Sequence, residues 1–170
     1  MSKAISTRLP LSYTTLDEVV QRLDLLREAG YTSIGNWNLA QVCEHLRDWF
    51  SFMIDGYPAA PVPLSWVFWG MRVTIGKSML RKILKTRTMA SGGPTMKQTV
   101  HAATNIDDET SVQRLKEMIE RFKSHHGPFC PSPLYGKLSA EDGIALQLIH
   151  CTHHLSFLKP NGLSHVHSVK

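Results

Sequence analysis

Apolar residues recur with the period of an α-helix in several stretches of the chain, and turn-forming residues separate these stretches. The first helix is predicted to begin after a capping box at Thr15 and to end at Gly30. A second helix is predicted to begin after Asn38 and to run to about Ile54. No stretch shows the alternation typical of a strand, so the pattern predicts an all-α fold.

The middle of the chain interrupts this pattern. After three prolines between Pro58 and Pro63, a third helix is predicted from Leu64, aromatic at its beginning and basic towards Leu84. From Thr86 to Asp108 the composition turns to Thr, Ser, Gly and Pro, which predicts a long loop.

Two further helices are predicted in the last third of the chain. One begins near Asp107 and ends at Gly127, and the other is capped by Ser139 and ends at Pro160. Five helical segments, four of them long, fit an up-and-down four-helix bundle with an extra helix or a long loop excursion in the middle.

Length and composition are those of one globular domain, because 170 residues with 42% hydrophobic and 19% charged residues can form a single core. We expect one domain over residues 1–170, with mobile tails at residues 1–12 and 160–170. Three cysteines without a CxxC pair, and an N-terminus without an apolar signal segment, indicate a cytoplasmic protein.

Positive charge is concentrated in a basic segment, Arg72–Lys97. The net charge is +5, and no acidic residue lies between Asp55 and Asp107. A solvated helix face explains this pattern best, and anionic small molecules, acidic lipid headgroups or nucleic acid are alternatives. Aromatic residues do not alternate with the basic ones as they do in RNA-binding sequences, so we expect no nucleic-acid partner.

Aromatic residues, including Trp66 and Trp69, lie directly before this basic segment. Arg72 and Lys77 interrupt the apolar run before it reaches the length of about 20 residues that a membrane span needs, so no span is expected. Trp and Phe beside Lys and Arg also form an interfacial pattern, but we favour ordinary packing over contact with a membrane surface. If Trp66 and Trp69 are exposed, their face could instead form the interface of a homodimer.

Three histidines lie in one apolar stretch of the final helix. His150 and His154 are four residues apart and project from one helical face, so they can chelate a metal ion. Without a metal, each buried ring nitrogen would need a hydrogen-bond partner, and the sequence alone leaves that alternative open. His153 can instead bind the metal together with His150, donate a hydrogen bond to a metal ligand, or face solvent. His45, at the margin of the apolar stripe of the second helix, is the best candidate for a third ligand.

Two segments, Asn36–Leu46 and Ile149–Leu155, resemble the DinB/YfiT-like superfamily of metal-binding helical bundles. The region Phe129–Phe157, with Leu134–Ser139 before the helix that carries the histidines, is similar to a subgroup classed as a domain of unknown function. The resemblance implies a four-helix bundle that holds a divalent metal ion, and the ligands it implies are His45, His150 and His154.

The resemblance also implies an activity. It points to a metal-dependent enzyme, either a thiol-dependent S-transferase or isomerase, or a hydrolase that uses a metal-bound water. The metal would be zinc, nickel or iron, because three imidazoles do not discriminate among them. The substrate would be a small molecule, anionic or a low-molecular-weight thiol, and the basic segment would receive its charge. The third interpretation is a metal-binding or structural protein without activity.

The choice among these activities depends on a general base. Glu44 points about 100° away from His45 on the helix, and Glu141 and Asp142 lie more than a turn before His150, so no convincing base is evident and a transferase is favoured. Many members of the superfamily follow the last histidine with Arg-Gly-Gln, whereas this chain has Leu155-Ser156-Phe157 and lacks that charge. His101 lies in the predicted long loop and is expected to have no functional role, with covering of the site as the less favoured alternative.

Overall fold

The fold is mostly helical, with a small two-stranded sheet. The computed structural model describes residues 8–59, 62–92, 97–103 and 107–162. The elements in chain order are α1 (Leu16–Ala29), β1 (Tyr31–Ser33), α2 (Leu39–Asp55), α3 (Val62–Met71), a π-helical turn (Arg72–Gly76), α4 (Lys77–Thr86), a 3-10 turn (Lys97–Thr99), α5 (Asp108–Lys123), α6 (Ala140–Leu155) and β2 (Leu158–Pro160).

The predicted starts of α1 and α2 are confirmed by their capping bonds. The Thr15 hydroxyl accepts from the Glu18 backbone N–H at 3.3 Å, and the Glu18 carboxylate accepts from the Thr15 N–H at 3.3 Å. Asn38 and Gln41 form the same reciprocal pair at the start of α2, with distances of 2.8 and 3.0 Å. These bonds satisfy backbone donors that the first helical turn leaves unpaired. They fix where α2 begins, and therefore where His45 lies.

One hydrophobic core joins α1, α2, α5 and α6. Its most extensive contact is between α2 and α5, where the rings of Phe50 and Phe122 lie edge to face with centroids 4.9 Å apart. Leu23, Leu115 and Leu155 are fully buried in the same core. This packing is compatible with a four-helix bundle interrupted by an excursion, and the up-and-down arrangement stays a prediction.

The predicted absence of strands is wrong, as is the predicted end of the last helix. α6 ends at Leu155, and β2 pairs antiparallel with β1 so that Tyr31 faces Pro160 and Ser33 faces Leu158. Strands of three residues are too short to show a recognisable alternation, which is why the pattern missed them. The sheet ties the chain after α6 to the chain after α1.

The ends of the chain were expected to be mobile. Residues 1–7 and 163–170 lie outside the described residues. Within the described part, the Leu9 N–H donates to the Ser156 carbonyl at 3.0 Å, so the segment before α1 packs along the end of α6.

For the aromatic helix the sequence left core packing and an exposed face equally open, and core packing is wrong. Trp66 and Trp69 in α3 are 71% and 64% exposed. Pro63 lies in the first turn of α3, where its missing N–H costs no intrahelical bond, so the helix begins at Val62 rather than at Leu64.

Among the described helices, none combines the length and apolar character needed to cross a membrane.

Candidate metal centre

Three histidine rings meet between α2 and α6. His150 Nε2 lies 3.2 Å from His45 Nε2 and 3.0 Å from His154 Nε2. Ligand nitrogens of the three residues all lie within 4.8 Å of one another. Two nitrogens bound to one ion at about 2.1 Å, at angles of about 90° to 109°, are separated by about 3.0 to 3.4 Å. Both measured contacts fall in this range, so the cluster could hold a metal ion.

The local helices explain this convergence. His150 and His154 are one turn apart on α6, as their spacing predicts. His45 lies on the face of α2 that packs against α6, and only 2% of its surface is exposed. His150 and His154 are partly exposed, so an ion or a small molecule can approach from their side.

Two tryptophans hold the rings in place. The Trp37 ring stacks on His154 with centroids 5.3 Å apart and an interplanar angle of 6°. The Trp49 ring meets His45 and His150 edge-on, at 6.2 and 5.6 Å. Aromatic walls of this kind restrict ring rotation and keep the nitrogens directed towards one another.

A backbone carbonyl sets the protonation of His45. Its Nδ1 lies 3.0 Å from the carbonyl oxygen of Thr99, a fully buried residue of the 3-10 turn. A carbonyl only accepts hydrogen bonds, so Nδ1 carries the proton and, in the neutral ring, Nε2 presents a lone pair to His150. No sequence pattern indicates this contact, because any residue at position 99 would supply a carbonyl.

Hydrogen bonding alone does not satisfy the cluster. The single Nε2 of His150 meets both of the other Nε2 atoms. It can donate one proton or offer one lone pair, and His45 has only a lone pair to offer. Without a metal, therefore, either one proton is shared among the three Nε2 atoms, or the lone pairs of two Nε2 atoms face each other. A metal ion accepts all three lone pairs.

The environment keeps the three rings neutral. Burial, opposed by the Thr99 hydrogen bond, lowers the pKa of His45 to about 4. Burial and the neighbouring His45 lower the pKa of His154 to about 2, and burial with His154 lowers the pKa of His150 well below its ordinary value. Neutral imidazole is the form that binds metals, so these rings do not need to lose a proton before binding at neutral pH.

The family described as "Protein of unknown function (DUF1569)" matches residues 5–161 of the chain. The chain belongs to this family. No curated protein and no solved structure matches it. The region matched by the DUF1569 family includes all three clustered histidines. Membership of the wider DinB/YfiT-like superfamily rests on the sequence resemblance alone.

In this DUF1569 member, His153 lies beside the cluster and is not one of its three histidines, and its ring meets that of His154 edge to face with centroids 4.9 Å apart. Its Nδ1 lies 3.1 Å from a guanidinium nitrogen of Arg8, which also donates to the Met89 carbonyl at 3.4 Å. The same guanidinium lies 5.6 Å from the centroid of the Phe157 ring. Arg8 thus supplies a positive charge beside the end of α6, where the sequence lacks the Arg-Gly-Gln found in many members of the superfamily.

A second polar pair, which the sequence analysis did not recognise, lies near the cluster. His101 Nε2 donates to the Asp48 carboxylate at 2.7 Å, and the Gln41 side chain donates to the His101 carbonyl at 2.7 Å. Asp48 follows His45 by three residues on α2, and His101 follows Thr99 by two, so both positions are tied to the cluster. The i, i+3 spacing of His45 and Asp48 was the one signal available in the sequence.

The cysteines beside the histidines are core residues, as expected. Cys43 and Cys151 are fully buried free thiols. Burial raises the pKa of both thiols above the ordinary value, which disfavours the thiolate form that binds metals.

Two clefts are the best formed among the described residues. One, of about 450 Å³, lies between α6 and the segments at Thr14 and Arg87, and the other, of about 350 Å³, lies between α2 and α5. None of the three clustered histidines lines either cleft. Neither cleft therefore gives access to the metal, which counts against an enzyme, and a substrate would have to approach over the partly exposed side of His150 and His154.

Proposed function

We propose that the protein binds one divalent metal ion through Nε2 of His45, His150 and His154. The observation that carries this proposal is the meeting of two Nε2 atoms on His150 Nε2, while the Thr99 carbonyl holds the proton of His45 on the opposite nitrogen. Three neutral ligands leave the charge of the ion uncompensated and leave at least one coordination position to other groups. Zinc, nickel and iron all suit three imidazoles.

Metal analysis of protein purified without a histidine tag tests this proposal. We expect about one equivalent of a divalent metal, and a loss of affinity of about 100-fold or more in His150→Ala. The matched control is His126→Ala, which removes an exposed histidine outside the cluster. Equal metal content in all three proteins, or less than about a tenth of an equivalent in the native protein after incubation with zinc, nickel and iron, would overturn the proposal.

We further propose that the metal site is that of a metal-dependent hydrolase. A bound divalent ion would act as a Lewis acid on a substrate oxygen. Asp48 accepts the Nε2 proton of His101, which fixes the tautomer and leaves Nδ1 of His101 as the nitrogen with a free lone pair. His101 is therefore the general base that the sequence analysis did not find. Its side chain is 28% exposed, so water and substrate can reach it.

Activity assays distinguish this proposal from its alternatives. The native protein loaded with each metal is tested on p-nitrophenyl esters, and on chlorodinitrobenzene with a small thiol. Ester hydrolysis that falls about 100-fold in His101→Gln with metal content unchanged supports the hydrolase. Thiol conjugation without hydrolysis would support the S-transferase instead. Metal binding with neither activity would support a binding protein.

A further inference from the structure

An apolar helix projects from the fold. Among the side chains of α3 that the structure describes, four large apolar ones are more than half exposed, with values of 71% for Val62, 71% for Trp66, 53% for Val67 and 64% for Trp69. Ten residues form a helix about 15 Å long, and its exposed apolar side chains are adjacent rather than scattered. Contiguous apolar surface of this kind marks an interaction site.

Unpaired cations follow this apolar helix directly. Arg72, Lys77, Arg81, Lys82 and Lys85 are exposed, and none of them forms an ion pair with another residue that the structure describes. Several cations of α1, α2 and α5 behave differently, as Arg27, Arg47 and Arg121 each pair with a carboxylate. The sequence has no acidic residue between Asp55 and Asp107 that could neutralise the basic segment from within.

The C-terminal half of this helical region is fixed to the body of the protein. Gly76 is buried, and a β-carbon there would overlap with the Leu134 carbonyl oxygen. Along α4 the partly buried Leu80 and Ile83 alternate with the exposed Arg81 and Lys82, and α4 contacts α6. The basic face of α4 thus points outward from a fixed position, with α3 at its end.

We propose that α3 and the basic face of α4 bind the surface of a membrane that contains anionic phospholipids. Trp66 and Trp69 would enter the interface between headgroups and acyl chains, and the cations of α4 would contact the headgroups. This proposal reverses the preference for ordinary packing and is independent of the metal site.

The charge pattern favours a membrane over the other partners for this face. A second copy of the chain would bring another set of unpaired cations to the contact without any carboxylate to neutralise them. Nucleic acid would neutralise the cations but would leave Val62 and Val67 without an apolar partner. An anionic bilayer surface satisfies both features.

Sedimentation with vesicles tests the proposal. Vesicles of phosphatidylcholine with about one-third phosphatidylglycerol should bind the native protein at least about tenfold more tightly than phosphatidylcholine alone. Raising the salt concentration from about 0.1 to about 0.5 M should weaken binding. Trp66→Ser with Trp69→Ser, and Lys82→Glu with Lys85→Glu, should each lower the affinity about tenfold or more. Trp66→Phe with Trp69→Phe should retain most of the affinity for the vesicles.

A matched control separates local from overall charge. Arg121→Glu with Lys123→Glu changes the net charge by the same amount on α5 and should bind as the native protein does, and thermal melting should show that every variant is folded. Equal binding to neutral vesicles, or equal loss in the α5 control, would overturn the proposal. The absence of vesicle binding would also overturn it. In that case, tryptophan variants that turn a dimer into a monomer would indicate a dimer interface, and binding to DNA alone would indicate a nucleic-acid partner.

Discussion

At the scale of single residues, the two nitrogens of His45 have separate tasks. Nδ1 donates to the Thr99 carbonyl at 3.0 Å, and Nε2 faces His150 at 3.2 Å. The first contact belongs to the fold, because it attaches the turn at Lys97–Thr99 to α2, and the second belongs to the proposed metal site. Substitutions that preserve one nitrogen position and remove the other can therefore separate stability from metal binding.

His45→Asn tests this separation. The asparagine amide occupies the position of Nδ1 and can still donate to the Thr99 carbonyl, but no ligand remains at the position of Nε2. We expect metal affinity to fall about 100-fold or more, while the thermal midpoint of the metal-free protein changes little. The measurements are calorimetric titration with zinc and melting in a chelator. Retention of native affinity would exclude His45 as a ligand.

At the scale of elements, the start and phase of a helix could be read from the sequence, and its neighbours could not. Capping residues and apolar periodicity located α1 and α2, and the spacing of His150 and His154 placed both on one face of α6. The 3-10 turn contributes a carbonyl, and β1 and β2 are too short for a pattern. The exposure of Trp66 depends on what α3 packs against, which an apolar sequence alone does not reveal.

Gly76 is one of the points at which the α3–α4 region meets the rest of the protein. In Gly76→Ala the new methyl group would overlap with the Leu134 carbonyl oxygen, and backbone cannot move aside as a flexible side chain can. We expect the free energy of unfolding to fall by about 1 to 3 kcal/mol, measured by denaturation in urea.

Gly70→Ala is the control for this substitution. Gly70 lies in α3, and a β-carbon there meets no atom within 4 Å. Alanine has a higher helix propensity than glycine, so this variant should be unchanged or more stable by up to about 1 kcal/mol. Equal destabilisation of both variants would show that the close contact at Gly76 does not anchor the helix.

At the scale of the whole molecule, the proposed metal site would couple ligand binding to folding. The three clustered histidines come from α2 and α6, which meet only in the folded protein. An ion that binds the folded state alone stabilises it, by about 2.7 kcal/mol when its free concentration is a hundred times the dissociation constant. For a chain of this length each kcal/mol raises the thermal midpoint by about 2 to 4 °C.

Zinc, nickel or iron should therefore raise the thermal midpoint of the protein by about 5 to 10 °C at that excess, and a chelator should reverse the increase. In His150→Ala the same addition should have little effect. A midpoint that rises equally in the native protein and in this variant would indicate binding elsewhere on the chain.

The same buried rings predict how the metal-free protein responds to acid. Burial lowers the pKa of His45 to about 4, whereas an unfolded histidine titrates near 6.5. As the pH falls below about 6.5, His45 becomes protonated in the unfolded state but stays neutral in the folded state. The free energy of unfolding therefore decreases as the pH is lowered. The loss from His45 should extend from about pH 6.5 to about pH 4 and approach about 3 kcal/mol.

Urea denaturation in a chelator at several pH values measures this loss of stability, and His45→Asn should remove the part of the pH dependence that comes from His45. Asp55 contributes a loss of the same sign, but its pKa is lowered from 3.8 to about 2 by the Arg121 guanidinium, so that loss comes at lower pH. A native protein whose stability is constant between pH 7 and pH 4.5 would show that His45 is not held neutral by burial.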